Sequence, residues 1–375
     1  MVHGGNWFLT GLTGQNRNVS TLRLIVDPTK PQTRESTAAL DRAAEILREG
    51  GLVSLPTETV YGLGANALDK DAVGRIFTAK RRPAWDPIIV HIASLEMLRL
   101  VAQVPKVARP LIDEFWPGPL TLLLPRSSAV PDAVTAGRKL VGVRMPAHPV
   151  ALEVIRRAGV PIAAPSANLF SHISPTTAAH VLQDLDGRID AVLDAGPSLH
   201  GLESTVLDPN TTPMTIYRPG AVTAEQIRAV AGPTRFFNEE VEFVEVPVKA
   251  LPSPGVGLRH YAPQARLVLL DGPLSELASM VAKAARAYRG ERLGIMLPGE
   301  LTAPAWLDSS RVYEWGLWAS PVEMARLLYS GLRALDAQKC TVILCPLPPA
   351  EGVGAAIRDR LRKAAMLEEG RPAGG

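Results

Sequence analysis

The chain has 375 residues, of which 46% are hydrophobic and 21% charged, with a formal net charge of +3. That is enough apolar material for two or three domains, and the mild positive charge permits a nucleotide or nucleic-acid partner without demanding one. No apolar run reaches membrane-span length, and the two cysteines, Cys340 and Cys345, form neither a disulfide framework nor a zinc pattern, so a cytoplasmic protein is expected.

Residues 1–20 are rich in Gly, Asn and Thr, show no secretory pattern, and read as a disordered leader. LRLIV (22–26) reads as the first strand. TAALDRAAEILREG follows as a helix with Leu40, Ala43, Ala44 and Leu47 inward and Gly50 as its stop. GLVSLP (51–56) reads as a buried strand. The next residues, Thr57, Glu58, Thr59, Tyr61, Gly62 and Gly64, combine hydroxyls and glycines as a ligand loop would. Ala72, Val73, Ile76 and Phe77 recur at helical spacing and lead to Lys80, Arg81 and Arg82. PIIVHI, with His91, is a second apolar run that would place these groups together if the two strands pair. A basic triplet at a helix end also fits a solvated complement to the helix dipole.

Further on, SLEMLRLVAQV is a short helix. FWPGPLTLLLP turns into a strand with Thr121 near its start, and KLVGVRMPAHP is a strand with Arg144 inside it. ALEVIRRAG and TTAAHVLQDL are helices flanking VPIAAP, whose loop SANLFSHISPTT carries Ser166, Asn168 and Ser174. IDAVLDAG, GLESTVLDP and MTIYRPG are strands, with Ser204 and Thr205 at the start of one and Arg218 at the end of another; TAEQIRAVAG is helical. Residues 236–264 are proline-rich and aperiodic, as a linker is. From 265 to 375, strands and helices alternate as in a small parallel α/β domain, ending in a basic helix that starts near Gly352–Gly354. Residues 21–235 are then the first, larger domain.

Elimination narrows the chemistry. No phosphate-loop GxxxxGK[ST], HExxH, CxxC or GxSxG motif is present, and the histidines are scattered. What recurs is a strand end followed by Ser, Thr or Arg: Thr57 and Thr59, Arg144, Ser166 and Asn168, Ser204 and Thr205, Arg218. Ligands collect at such ends in open α/β sheets, and several cations with hydroxyls suit a polyanion such as a nucleoside triphosphate. Each residue alone is equally an ordinary turn residue; the arginines within strands are harder to dismiss, because they are costly unless paired.

In order and spacing, PTETVYGLGANA, KRRPAWDPIIVH, WPGPLT, VGVRMPAHP, PIAAPSAN…SPTT, ESTVLD and RPG resemble the threonylcarbamoyl-AMP synthases. SPGVGLRHYAP and the trailing domain resemble their longer, two-domain form. The resemblance implies a twisted mixed-sheet (YrdC-like) α/β catalytic domain with a large concave positive cavity, followed by a Rossmann-like parallel α/β domain. It implies a reaction in which L-threonine, bicarbonate and ATP, with Mg²⁺, give threonylcarbamoyl-AMP and pyrophosphate. A separate tRNA threonylcarbamoyl transferase complex would use the product on adenosine next to the anticodon, with RNA contact by this chain open and no membrane involved. By motif, Lys80 and Arg82 face the phosphates and carry the catalysis. Thr57, Thr59, His91, Arg144 and Ser204 lie near threonine, Arg144 clamping its carboxylate. Asp86, Ser166, Asn168, Ser174, Arg218, Arg259, His260 and Tyr261 lie near ATP, and residues 252–263 read as a lid hinged at Gly255 and Gly257. The sequence departs from the pattern at Asp86 (usually Asn), which would need a cation such as Arg82. It departs also at Ile88, at Phe170 and Ser171, and at Val256, Gly257 and Leu258. Two rivals remain at this point: a double-stranded-RNA-binding module, which the mild charge disfavours, and a hydrogenase-maturation carbamoyltransferase, which the missing CxxC pairs disfavour.

Overall fold

A computed structural model describes residues 20–237, 251, 253 and 261–366. Residues 1–19 of the expected leader, most of the linker, Arg259, His260, Gly255, Gly257 and the other departures at 256–258 lie outside the described residues.

The first domain is built on an 11-stranded mixed sheet. Its strands are β1 (Leu22–Ile25), β2 (Val53–Leu55), β3 (Gly62–Asn66), β4 (Val90–His91), β5 (Leu120–Pro125), β6 (Leu140–Arg144), β7 (Ile162–Ala163), β8 (Ala191–Asp194), β9 (Thr205–Asp208), β10 (Met214–Arg218) and β11 (Thr234–Phe236). They lie in the order β1-β8-β2-β3-β7-β4-β6-β5-β9-β10-β11. Two apolar layers cover it. Helix Arg34–Arg48 buries Leu40, Ala43, Ala44 and Leu47 beside Val154 and Ile155 of helix Pro149–Ala158. The other layer gathers Ile76, Leu111, Leu122, Val143 and Val181. Period-two alternation in the strands then decides what is left over. In β5, Leu120, Leu122 and Leu124 join this main core and Thr121 points the other way; in β6, Val141 and Val143 do so and Arg144 points the other way. The sheet half around β4, β6, β5 and β9 thus carries polar groups on the face away from that core.

Two expectations are corrected here. β2 and the PIIVHI strand do not pair, because β3 and β7 intervene, and that strand shrinks to Val90–His91. Gly62 and Gly64 are not a flexible loop: they sit in β3, paired with β2. A Cβ on Gly64 would lie 2.8 Å from Ile162 Cγ2 and 3.1 Å from the Val53 carbonyl, so glycine serves close sheet packing here.

The second domain is a 4-stranded parallel sheet in the order β12-β15-β13-β14, with β12 Arg266–Leu270, β13 Leu293–Leu297, β14 Val312–Glu314 and β15 Val342–Pro346. Helices Leu274–Ala287, Pro321–Ala337 and Val353–Ala365 pack on it. In the last, Arg360 and Lys363 are both buried. Among the described residues no helix is long and apolar enough to cross a membrane.

Candidate active site

Helix Lys70–Lys80 is capped by Asp69, whose carboxylate accepts from the Asp71 and Ala72 amides. It stops at Arg81, which adopts the left-handed conformation (φ 53°), and this turn swings Arg82 back so that its amide reaches the Phe77 carbonyl. The solvated-helix-end reading fails for Lys80, which is 1% exposed. Its Nζ donates to the Ser166 carbonyl at 2.6 Å and to the Asn168 carbonyl, and the Phe170 amide donates back to the Lys80 carbonyl at 2.9 Å. Burial, then the charge of Arg82, push the Lys80 amine well below its ordinary pKa. Arg82 pairs with Asp86 at 2.9 Å and donates to the Pro87 carbonyl at 2.8 Å, so the unusual carboxylate has the cation it needs. Burial raises the Asp86 pKa against the pull of Arg82 and Lys80.

A second cluster lies where the β2–β3 loop meets β4 and β6. Arg144 Nη1 donates to Thr59 Oγ1 at 2.8 Å, Nη2 bonds His91 Nε2 at 3.1 Å, and Thr59 Oγ1 lies 2.8 Å from Thr57 Oγ1. The parallel register of β4 and β6 sets His91 opposite Arg144. Because the guanidinium can only donate, His91 Nε2 accepts; burial and Arg144 hold that imidazole neutral, well below its ordinary pKa. Arg144 has five N–H donors, and Nε has no partner among the described residues. The third cluster is at the start of β9. Ser204 Oγ lies 2.7 Å from Thr121 Oγ1 and 3.1 Å from Arg218 Nη2, and Arg218 Nε donates to the Ser204 carbonyl at 3.1 Å.

These clusters share one field: the charge of Arg218 acts on both Arg82 and Arg144, and the Tyr261 phenol acts on Arg82. The loop after β7 joins them through Lys80. There Asn168 Nδ2 donates to the Leu169 and His172 carbonyls at 2.6 and 2.9 Å, leaving its Oδ1 without a partner among the described residues. Ser174 is fully buried and gives its hydroxyl to Glu203 at 2.5 Å. The Tyr261 ring stacks on Tyr329 (5.8 Å) beneath the Arg360 guanidinium (5.2 Å).

Sequence reasoning missed Glu203 and Arg360. Arg360 Nε meets Glu203 Oε2 at 2.8 Å, Tyr329 donates to the same oxygen at 2.8 Å, and Arg360 Nη2 donates to the Pro219 carbonyl at 3.0 Å. The second domain is thereby locked onto the residue next to Ser204. No local pattern signals a pair 157 residues apart. A cavity of ≈ 720 Å³ also lies where both domains meet, lined in part by His172, Asp184, Gln264, Arg333 and Asp336, but none of the expected site residues borders it.

Residues 45–220 match the family model described as "Telomere recombination", and residues 222–366 match "Threonylcarbamoyl-AMP synthase, C-terminal domain". A threonylcarbamoyl-AMP synthase of Pyrococcus abyssi is 42% identical over 329 residues, 86% of this chain and 92% of the relative. The chain belongs to the threonylcarbamoyl-AMP synthase family. A synthase of Bacillus subtilis is likewise 42% identical, over 92% of this chain and 98% of its own length. The crystal structure of P. abyssi Sua5 complexed with L-threonine superposes with a TM-score of 0.81 at 40% identity, covering 92% of this chain and 98% of that one. Like other threonylcarbamoyl-AMP synthases this is an enzyme, and its mixed-sheet domain followed by a parallel-sheet domain is the arrangement the motifs implied.

Proposed function

We propose that this protein joins L-threonine, bicarbonate and ATP into threonylcarbamoyl-AMP and pyrophosphate, for the threonylcarbamoylation of tRNA adenosine next to the anticodon. The observation that carries the proposal is that Arg218 lies close enough for its charge to act on both Arg82 and Arg144, with Thr59 bonded to Arg144 and Ser204 to Arg218, in a chain of this family.

Arg144 takes the threonine carboxylate: its remaining N–H donors suit planar, bidentate pairing, and His91, Thr57 and Thr59 fix its plane. Ser204 lines the same subsite. Arg82 and Arg218 neutralise the triphosphate, with Asp86 orienting Arg82. Lys80 acts on the nucleotide by holding the loop of Ser166 and Asn168 in place, and Asn168 Oδ1, without a partner among the described residues, is an acceptor for the nucleoside. Ser174 and Tyr261 support the nucleotide side.

The threonine amine attacks the carbon of bicarbonate, water leaves, and the carbamate formed attacks the α-phosphorus, expelling pyrophosphate. Both steps gain from holding the reactants together and from neutralising phosphate charge. Mg²⁺ enters as the counter-ion of ATP, carried on the phosphates. Among the described residues there is no group of three or more His, Cys, Asp or Glu that could hold a metal. The setting is the cytoplasm, and the product passes to a separate transferase. The test is pyrophosphate release with ATP, Mg²⁺, bicarbonate and L-threonine. Release should require both threonine and bicarbonate; release no greater than in their absence would overturn the proposal.

A further inference from the structure

Glu58 is the residue of the ligand loop that this mechanism leaves unused. It lies between Thr57 and Thr59 and is 4% exposed. Neither carboxylate oxygen has a hydrogen-bond partner among the described residues. A buried carboxylate without donors is costly, and one that persists in a folded protein calls for a reason. Its nearest ionic neighbour is Arg144, whose Nη1 lies 3.8 Å from Glu58 Oε1, too far for a hydrogen bond. His148 and His200 also lie within the field of Glu58, but burial lowers both imidazoles, and His148 Nδ1 already accepts from the Val150 amide as a helix cap. Both are thereby held in the neutral form, and among the described residues the carboxylate has no second cation within ion-pair distance.

The cluster around the β2–β3 loop therefore holds one cation with donors to spare beside one carboxylate with no donors among the described residues. A free α-amino acid presents the complement of that pair: a carboxylate and an ammonium separated by one carbon. We propose that Glu58 is the ammonium subsite for the amino-acid substrate, so that Arg144 and Glu58 together recognise the zwitterion. The three N–H groups of the ammonium satisfy the orphaned oxygens, and the incoming carboxylate replaces Glu58 as the close partner of Arg144. The nitrogen, which gives up a proton to the Glu58 carboxylate before it forms the new bond to carbon, is thus placed by a charge and not by shape alone. This rests on the threonine reading above.

The competing explanation makes Glu58 only a counter-ion that holds Arg144 in place. Ligands separate the two. β-Hydroxybutyrate is threonine without its amino group, and isopropanolamine is threonine without its carboxylate. In the unaltered protein, calorimetry should show L-threonine binding at least about tenfold more tightly than β-hydroxybutyrate, since a hydrogen-bonded charge pair supplies that much. Equal affinities would overturn the proposal with no variant needed. In Glu58→Gln, threonine affinity should fall about tenfold or more and isopropanolamine binding should be lost. β-Hydroxybutyrate should bind as well as before or better, because a negative charge beside its carboxylate is gone. Glu58→Asp should recover part of the threonine affinity. If Glu58→Gln weakens threonine and β-hydroxybutyrate in parallel, Glu58 acts through Arg144 and the ammonium subsite is refuted. These are binding measurements, so an enzyme that binds threonine as described but releases no pyrophosphate would refute the proposed reaction and leave this inference standing.

Discussion

Arg360→Ala should break the tie between the two domains. Arg360 is 0% exposed and its partner Glu203 is 5% exposed, so neither charge can fall back on water when the other is lost. The Arg360 guanidinium supplies the 2.8 Å contact to Glu203, the 3.0 Å bond to the Pro219 carbonyl and the cation over Tyr261. Removing one member of a buried pair typically costs ~3–5 kcal/mol, mostly the burden of the charge left behind. The pH dependence carries a second signature. Burial pushes the Glu203 carboxyl up, but Arg360, Arg218 and the hydrogen bonds from Arg360 and Ser174 outweigh it, and the net shift is downward. A carboxyl lowered in the folded state adds stability above its unfolded value, ~4.3, and loses it as pH falls through the folded value. In the variant, burial acts with its main opponent gone, so protonation relieves the defect. The stability gap between wild type and Arg360→Ala should therefore be widest near neutrality and narrow as pH falls toward ~4. Urea denaturation at a series of pH values measures this, and Arg360→Met combined with Glu203→Gln should restore most of the loss by removing both charges. A single-variant loss within ~1 kcal/mol at neutral pH, or a gap that widens on acidification, would refute the reasoning.

Arg144→Lys should raise the threonine KM far more than the ATP KM, because an ammonium cannot reproduce the fork that binds Thr59 and His91 and still offers donors to a carboxylate; steady-state kinetics with each substrate varied would contradict this if both values moved equally. Lys80→Met keeps an apolar stem but strips the donor from the Ser166 and Asn168 carbonyls. It should lower stability by ~2–4 kcal/mol and impair ATP use at least about tenfold, and near-normal ATP kinetics with an intact melting profile would show that the stitch is dispensable.

What was legible in the sequence followed from local rules. Arg144 and Arg218 stood out because a guanidinium inside an apolar strand needs a purpose, and both strands and both partners were found. The helix from 34 to 48 and the alternating second domain followed from periodicity. The misreadings share a cause: they concern contacts distant in sequence. The glycines of β3 look like loop residues until Ile162 is packed against them. The apolar runs of β2 and β4 look like neighbours until β3 and β7 fold between them. Lys80 and Arg360 look like surface charges because composition prices them so, and only the assembled fold supplies their acceptors. Glu58 was part of a recognised motif, yet its want of donors is visible only in three dimensions.

The bonds from Lys80 to the loop after β7 also constrain the order in which the chain can be completed. During synthesis the helix ending at Lys80 emerges long before Ser166, Asn168 and Phe170, which lie 86 residues and more further on. Until they arrive the amine has no acceptors and remains in water as an ordinary cation. A nascent chain released short of Phe170 can therefore form the first helices and hairpin, but it must carry Lys80 exposed and charged where the finished protein buries it. Closing so long a loop is a late and entropically costly event. The part of the first domain that Lys80 and this loop form is among the last to exist, and the Arg360 contact comes later still.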